Sequence, residues 1–224
     1  MSSQFQIFSL PHLVIIALVP LLAALLVWWS RNNDPAANRI RIGLAAIILV
    51  DELVWYGYYL NQGWFTFPHS LPLQLCDITL WLTVYTLFTG SSKVYQLIYY
   101  WGLAGTTMAV LTPDVSTPPI SWLTLQFFVS HGGPLVGILF LTWRKISVPH
   151  KGSYWKAWLW LHGYAVLIGV FNYVFQANYF YLCEKPSEVS LLELMGPWPV
   201  YILAADAIAF VMFWLLWLPF RKKP

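Results

Sequence analysis

Long apolar stretches separated by short polar breaks dominate this chain of 224 residues. A bilayer core about 30 Å thick is crossed by a helix of roughly 20 apolar residues. Seven segments have this length and character; they lie at about 10–30, 38–60, 71–90, 93–111, 119–143, 154–175 and 198–220. The pattern predicts an all-α, polytopic membrane protein in which residues 1–224 form one domain, a seven-transmembrane-helix bundle.

The composition is typical of a membrane protein and argues against a soluble domain. Only 9% of the residues are charged, against about a quarter in soluble domains. Trp, Tyr and Phe make up 18% of the chain, which suits a protein with two membrane–water interfaces. We expect membrane lipids as partners of such a protein. We expect no nucleic acid and no cofactor, because the sequence has no nucleotide-binding or paired metal motif.

Lys and Arg residues are concentrated on one side of the predicted bundle. They follow helix 1, separate helix 3 from helix 4 and helix 5 from helix 6, and end the chain, so that 11 of the 12 share one side and Lys185 lies on the other. Basic loops stay in the cytoplasm, which predicts the N-terminus outside and the C-terminus inside. Helix 1 has Arg31 after it and no basic residue before it. This is the reverse of a cleavable secretory signal, so we expect helix 1 to remain in the mature protein.

Polar side chains inside the predicted spans are the main indication of function, because each costs a few kcal/mol in lipid unless it has a partner, a cavity or a function. Those expected to line a cavity are Cys76, His131, Asp77, Gln74, Asp51, Glu52, Asn172 and Asp206. At a rise of about 1.5 Å per residue, Cys76 lies about 8 Å below the outer end of helix 3, and Glu52 and Asp206 about 12 Å below theirs. His162 alone falls in the inner half. The shared depth predicts a polar cavity that opens outward.

Two local patterns support a cavity between closely packed helices. In the stretch SHGGP, the residues after His131 weaken helix 5, since Pro134 removes a backbone hydrogen bond, and broken helices are tolerated in membranes where they line a cavity. Small residues also recur at spacings of three and four along two other helices, which predicts close helix contacts there. They are Cys76, Thr79, Thr83, Thr86 and Gly90 in helix 3, and Gly102, Gly105 and Ala109 in helix 4.

The same residues have simpler structural interpretations. A lone buried Cys is most often inert packing, and Cys76 and Cys183 both lie on the outer side, where they could form a disulfide. His131 could be hydrogen-bonded to a neighbouring helix without any chemical role. A metal site is a further alternative; its four ligands would be His131, Asp77, Asp206 and Glu52.

Five motifs spread along most of the chain carry a family resemblance. They are LPLQLCDITLW at 71–81, YWGLAGTTMAVLTPD at 100–114, FFVSHGG at 127–133, NYVFQANYFYLCEKP at 172–186 and LLELMGPWPVY at 191–201. With these motifs the chain resembles the YwaF-like bacterial integral membrane proteins, which implies a multi-pass protein of the bacterial inner (cytoplasmic) membrane. More distantly, it is similar to eukaryotic transmembrane lipid acyltransferases that act on ether phospholipids and to androgen-induced hydrolases of fatty-acid esters.

The distant resemblance implies a covalent mechanism. Those enzymes use an intramembrane Cys or Thr as the nucleophile with a His on another helix, and the matching residues here are Cys76 and His131. An imidazole close to a thiol can remove its proton and so activate it. The bacterial pattern often has His where this chain has Gln74.

The sequence leaves three functions open. The first is a membrane-embedded lipid acyltransferase or lipid ester hydrolase that uses the Cys76/His131 pair in an outward-opening polar cavity. The second is a transporter of a small molecule or cation, with or without proton coupling, which four intramembrane acids would suit. The third is a non-catalytic lipid-binding membrane protein.

Overall fold

The computed structural model describes residues 4–186 and 191–221, apart from the side chain of Leu191. Within these residues the chain is helical and contains no β-strand. Seven helices follow one another along this part of the chain: α1 Leu10–Ser30, α2 Asp34–Asn61, α3 Leu75–Thr89, α4 Ser92–Trp101 with its continuation through a π-helical turn Gly102–Thr106 into Thr107–Leu111, α5 Trp122–Trp143, α6 Ser153–Phe175 and α7 Val200–Trp217. Short 3₁₀ turns lie at Tyr179–Tyr181, Leu191–Met195 and Leu218–Phe220.

Each predicted span contains one of these helices, and the prediction of an all-α membrane protein is confirmed. Within the part of the chain that the structure describes, four helices are long and apolar enough by themselves to cross a bilayer: α1, α5, α6, and α7 together with the 3₁₀ turn that follows it. α3 is apolar but has 15 residues. The count of seven spans, the single domain and the orientation in the membrane stay predictions.

The helices alternate in direction, as contacts at the two ends of the bundle show. At one end, Arg144 after α5 pairs with Asp34 at the start of α2, with 2.5 Å between Nη2 and Oδ1. At the other end, the Phe180 N–H donates to Gln74 Oε1 over 2.9 Å. We call the first the basic end and the second the site end. The basic end carries loops 31–33, 90–91 and 144–152, and the site end carries loops 62–74, 112–121 and 176–186.

α3 begins at Leu75, four residues later than predicted, and Cys76 therefore lies in its first turn. The prediction missed a capping interaction: Asp77 Oδ2 accepts a hydrogen bond from the Gln74 N–H at 3.0 Å, which is how an acid at the third helical position closes a helix start. With its 15 residues, α3 is about 22 Å long, and Arg41 donates to its last turn at the basic end. Its first turn therefore lies inside the bundle, below the site ends of α2 and α5.

The expected break in helix 5 is not where the chain becomes irregular. α5 continues as a helix through Pro134, and Gly133 before it allows close packing instead, since an added Cβ would lie 3.1 Å from Ile48 of α2. The irregular turn is in α4, where Gly102–Thr106 is π-helical. π-helical turns often occur at functional sites, and this one packs against α3 and α5.

The small-residue seams pack closely, as predicted. Thr79, Thr83 and Thr86 of α3 are fully buried. A Cβ added at Gly102 would lie 2.4 Å from Ile138 Cδ1 of α5 and 3.5 Å from Thr79 Cγ2. Because a hydrogen atom fits there and a methyl group does not, Gly102 lets the π-helical turn lie between α3 and α5.

Candidate functional site

A cavity of about 180 Å³ lies between α2, α3 and α5, and we call it the inner cavity. Its lining residues are Glu52, Trp55, Tyr56, Cys76, Asp77, Leu80, Gln126, Phe127, Ser130 and His131. The cavity brings together the two residues predicted as catalytic, Cys76 and His131, and two of the predicted cavity residues, Glu52 and Asp77. These side chains come from three helices that are far apart in the sequence.

The backbone of α5 fixes which nitrogen of His131 carries a proton. Nδ1 lies 2.8 Å from the Phe127 carbonyl oxygen and 3.0 Å from Ser130 Oγ. A carbonyl oxygen can only accept, so Nδ1 carries the proton in the neutral ring and Nε2 keeps a free lone pair. The ring also stacks on Phe127 with 4.3 Å between centroids. The ring of His131 is therefore held in one orientation by these contacts, and in its neutral form Nε2 is the nitrogen that can accept a proton.

Cys76 is a free, half-buried thiol, and Cys183 is a free, exposed one. The alternative of a disulfide between them is thus wrong, since each sulfur is unpaired. The side chain of Thr106, from the π-helical turn, lies beside the Cys76 thiol. The first turn of a helix presents N–H groups that have no partner within the helix, and these groups attract negative charge. The adjacent carboxyl group of Asp77 acts in the opposite direction, so the surroundings of the thiol combine one feature that favours a developing anion with one that opposes it.

Three carboxyl groups lie at or beside the inner cavity. Glu52 lines it although only 4% of the residue is exposed, and it interacts electrostatically with Asp77 and Asp51. Asp51 lies beside Gln126, and its Oδ2 is buried with no hydrogen-bond partner among the described residues. The cavity therefore combines one thiol, one imidazole and a concentration of acids.

Gln74 and Asn172 hold the loops of the site end together. Gln74 Oε1 accepts from the Phe180 N–H at 2.9 Å. Asn172 is 1% exposed; its Nδ2 donates to the Tyr179 carbonyl oxygen at 2.8 Å, and its Oδ1 accepts from the Tyr179 N–H at 3.0 Å. Both amides thus satisfy backbone groups that would otherwise be buried and unpaired. The structure assigns Asn172 to this loop, in contrast to its predicted place in the cavity wall.

Tyrosine hydroxyls hold the loop before α3. Tyr179 donates to the Pro68 carbonyl oxygen at 2.7 Å and accepts from the Leu71 N–H at 2.7 Å. Tyr164 donates to the Leu73 carbonyl oxygen at 2.7 Å. Burial raises the pKa of Tyr179, which keeps its hydroxyl protonated and able to donate.

Asp206 lies away from the inner cavity, between α6 and α7. Its Oδ1 accepts from Trp158 Nε1 at 3.0 Å and lies 3.4 Å from His162 Nε2. The sequence placed Asp206 and His162 in opposite halves of the membrane, because each depth was counted from the end of its own helix and those ends were taken as level. The contact shows that the two residues share one level. The four-ligand metal set is consequently split, since Asp206 is on a different pair of helices.

A second, larger cavity of about 460 Å³ opens at the site end, and we call it the outer cleft. Its lining residues are His69, Gln74, Asp114, Asn178, Tyr179, Tyr181, Glu184, Lys185 and Pro186. Burial raises the pKa of Tyr181, which also interacts electrostatically with Asp114 of the outer cleft and with Cys76 of the inner cavity. The outer cleft and the inner cavity are therefore neighbours.

Several lining residues were missed from the sequence, although helical spacing points to most of them. Residues four apart lie on one helix face, so that Tyr56 follows from Glu52 and Phe127 from His131. Gln126 carries no charge and was overlooked for that reason, yet it is 6% exposed and faces the cavity.

A family model of known membrane proteins covers nearly all of this architecture. The model of the TMEM164 family matches residues 7–217. The chain belongs to the TMEM164 family. The matched stretch contains α1 to α7 and all of the residues that line the inner cavity. Membership in this transmembrane family and the apolar helices identify a membrane protein. No curated protein and no solved structure matches the chain.

Proposed function

We propose that this TMEM164-family protein is a membrane-embedded lipid acyltransferase or lipid ester hydrolase of a bacterial cytoplasmic membrane, with Cys76 as nucleophile and His131 as general base. The observation that carries the proposal is that the two side chains, from α3 and α5, line one cavity. The resemblance to YwaF-like proteins and to the eukaryotic lipid acyltransferases and ester hydrolases supports it. Acyl transfer of this kind needs a thiol and a base and no cofactor.

The chemistry follows from the protonation of His131. Nε2 takes the proton from the Cys76 thiol as the sulfur bonds to the ester carbonyl carbon of a lipid. The bond between that carbon and the lipid alcohol oxygen then breaks, and the oxygen leaves with the proton from Nε2. Water, or the hydroxyl group of a second lipid, attacks the resulting thioester and gives its proton to Nε2. The sulfur departs and recovers the proton, which completes either hydrolysis or acyl transfer.

The first turn of α3 supports the same step. Negative charge develops on the sulfur and on the carbonyl oxygen, and the unpaired N–H groups of a helix start stabilise an anion in a site of low dielectric. Asp77 is directed to the Gln74 N–H, where it closes the helix start. Cys76 thus lies at the positive end of α3, next to the Gln74 N–H that Asp77 already pairs.

The size of the inner cavity limits what enters it. Its volume of about 180 Å³ is below the roughly 300–1,000 Å³ of pockets that enclose a whole small molecule. We therefore assign to it the ester group of a lipid, with the acyl chain in the bilayer. The neighbouring outer cleft, at about 460 Å³, has room for polar atoms next to the ester.

The test is covalent labelling of the full chain in vesicles that contain a phospholipid with an alkyne-tagged acyl chain. Wild-type protein should acquire a label that hydroxylamine removes, as expected for a thioester. Cys76→Ala should abolish the label, and His131→Gln should lower its rate by at least about 100-fold, because the base is lost. Cys183→Ala is the matched control and should be labelled like wild type, since Cys183 is an exposed free thiol outside the cavity. Lipid turnover by Cys76→Ala at the wild-type rate would contradict the proposal.

One observation favours transport of a cation or proton as a second candidate: Glu52 and Asp77 line the same cavity, with Asp51 close to Glu52. Intramembrane acids often mark ion or proton paths. In a carrier, Glu52→Gln and Asp77→Asn would stop uptake into vesicles while Cys76→Ala would leave it unchanged. The two candidates therefore predict opposite consequences of removing the thiol.

A further inference from the structure

Glu52 is a buried acid of α2 that has no partner among the residues that the structure describes. It lines the inner cavity together with Cys76 and His131, yet only 4% of the residue is exposed. Within residues 4–186 and 191–221, its carboxyl group has no hydrogen-bond or ion-pair partner. Asp77 and Asp51 are close enough to repel a negative charge on it.

Such a site is unfavourable for a carboxylate and suitable for a carboxylic acid. A buried charge needs an opposite charge or several hydrogen bonds, and Glu52 has two other acids beside it instead. Two carboxyl groups that share a site do not both ionise readily. The uncharged acid avoids both costs and presents one O–H donor. Glu52 lines the same cavity as the Cys76 thiol, which is where a ligand of the thiol would lie.

We propose that Glu52 is a further catalytic residue, the uncharged hydrogen-bond donor to the carbonyl oxygen of the acyl group that Cys76 attacks. This inference rests on the proposed function. As the sulfur–carbon bond forms, the carbonyl oxygen becomes negative and the hydrogen bond from Glu52 strengthens. When the carbon–oxygen bond to the leaving alcohol breaks, the carbonyl is restored and the hydrogen bond weakens again. The proton stays on Glu52 throughout, and the transferred proton moves only between Cys76, His131 and the alcohol.

The proposal also specifies the kind of ligand group that the cavity accepts. A neutral donor suits a neutral carbonyl oxygen, such as that of an ester or a thioester, and it gives no affinity for a cation. A cation ligand or a general base would require the carboxylate. A glutamine side chain retains an N–H donor at the same position and cannot ionise, so Glu52→Gln separates the two roles.

The experiment measures two rates at Cys76 in a Cys183→Ala background, using full-length protein in vesicles. The first is acylation by the alkyne-tagged phospholipid; the second is alkylation by iodoacetamide, in which iodide is displaced and no oxyanion forms. Glu52→Leu should lower acylation about 100-fold or more, as for loss of one oxyanion donor, and should leave alkylation within about threefold. Glu52→Gln should keep acylation within about tenfold of wild type. Asp34→Leu, an acid at the opposite end of the same helix, is the matched control and should change neither rate.

Several results would overturn the proposal. Acylation as slow in Glu52→Gln as in Glu52→Leu would mean that a carboxylate is required, and wild-type acylation in Glu52→Leu would mean that the side chain is idle. A parallel fall of both rates would mean that Glu52 acts on the fold around Cys76. If Glu52→Leu does not fold, the test rests on Glu52→Gln alone. Loss of Cys76 acylation in Glu52→Gln, with Cys76 alkylation unchanged, would refute the role of Glu52 as a donor. Alkylation of wild type without any acylation would instead refute the proposed function, and this inference with it.

Discussion

Replacing Gly102 by Ala tests the tightest helix contact beside the inner cavity. A Cβ at this position would lie 2.4 Å from Ile138 Cδ1, whereas carbon atoms in contact prefer about 3.5–4.0 Å. Ile138 is fully buried, so the side chain cannot move aside without displacing its neighbours. Overpacking of this kind costs about 1–3 kcal/mol, and the better helix propensity of Ala offsets up to about 1 kcal/mol of it. We expect a net loss of about 1–2 kcal/mol in the free energy of unfolding.

The assay is thermal unfolding of the purified protein in detergent. For a chain of this size, 1 kcal/mol shifts the midpoint by about 2–4 °C, so Gly102→Ala should lower it by about 2–8 °C. Gly43→Ala is the matched control, because Gly43 is also in a helix and an added Cβ there has nothing within 4 Å. The control should leave the midpoint unchanged or raise it slightly.

A double variant identifies the cause of the loss. Ile138→Val removes Cδ1, the atom that the new methyl group would meet, at a cost of about 0.5–1.5 kcal/mol on its own. If the clash is the cause, Gly102→Ala with Ile138→Val should lose less stability than the sum of the two single changes. Additive losses, or a midpoint for Gly102→Ala equal to that of Gly43→Ala, would refute the reasoning.

Three further predictions address the loops and the topology. A charged maleimide should label exposed Cys183 much faster than half-buried Cys76, and Cys183→Ala should remove the fast phase; equal rates would contradict the assigned exposure. Because burial raises the pKa of Tyr179 above the usual 10.0, its contribution to stability is complete below pH 10 and declines as the pH rises above it. Tyr179→Phe should cost about 1–3 kcal/mol at neutral pH and weaken this alkaline decline in denaturant titrations; an unchanged decline would assign it to other groups. A reporter that is active only in the cytoplasm should be active when it is fused after Pro224. Activity there of a reporter that works only outside the cytoplasm would contradict the predicted orientation.

Helix boundaries were predictable from the sequence where an apolar stretch coincides with a whole helix. The predictions were wrong where a capping interaction determines the first residue of the helix. The first helix begins and ends where the apolar run does, at Leu10 and Ser30. α2 instead begins at Asp34 rather than at 38, because Asn33 Oδ1 accepts from the Ala36 N–H. α3 begins late for the related reason that Asp77 closes its start. Hydropathy measures transfer into lipid and contains no information on these local hydrogen bonds.

The candidate site was predictable in part. The free-energy cost of placing a polar side chain in lipid singles out the polar residues, but it does not show which residues are their neighbours. Glu52, Cys76 and His131 were predicted at a similar depth, and the three line one cavity. Asp206 was grouped with them and instead contacts His162. Depth along a helix gives one coordinate of a side chain; the other two depend on helix rotation and on which helices are neighbours, and a single sequence specifies neither.

The late start of α3 also explains polar residues that had no evident role in the sequence. Irregular backbone inside a membrane protein requires every N–H and carbonyl group to find a partner in the protein. The loop before α3 meets this requirement through Tyr164 and Tyr179, and Gln74 and Asn172 pair the backbone of the adjoining loop. These four side chains therefore allow a helix to begin below the site end of its neighbours. Because α3 begins at this depth, its first turn, which contains Cys76, lies at the level of His131 in the middle of α5. The polar layer read from the sequence thus contains one group that holds the loops and one that faces the cavity, and Asp206, which contacts Trp158 and His162, belongs to neither.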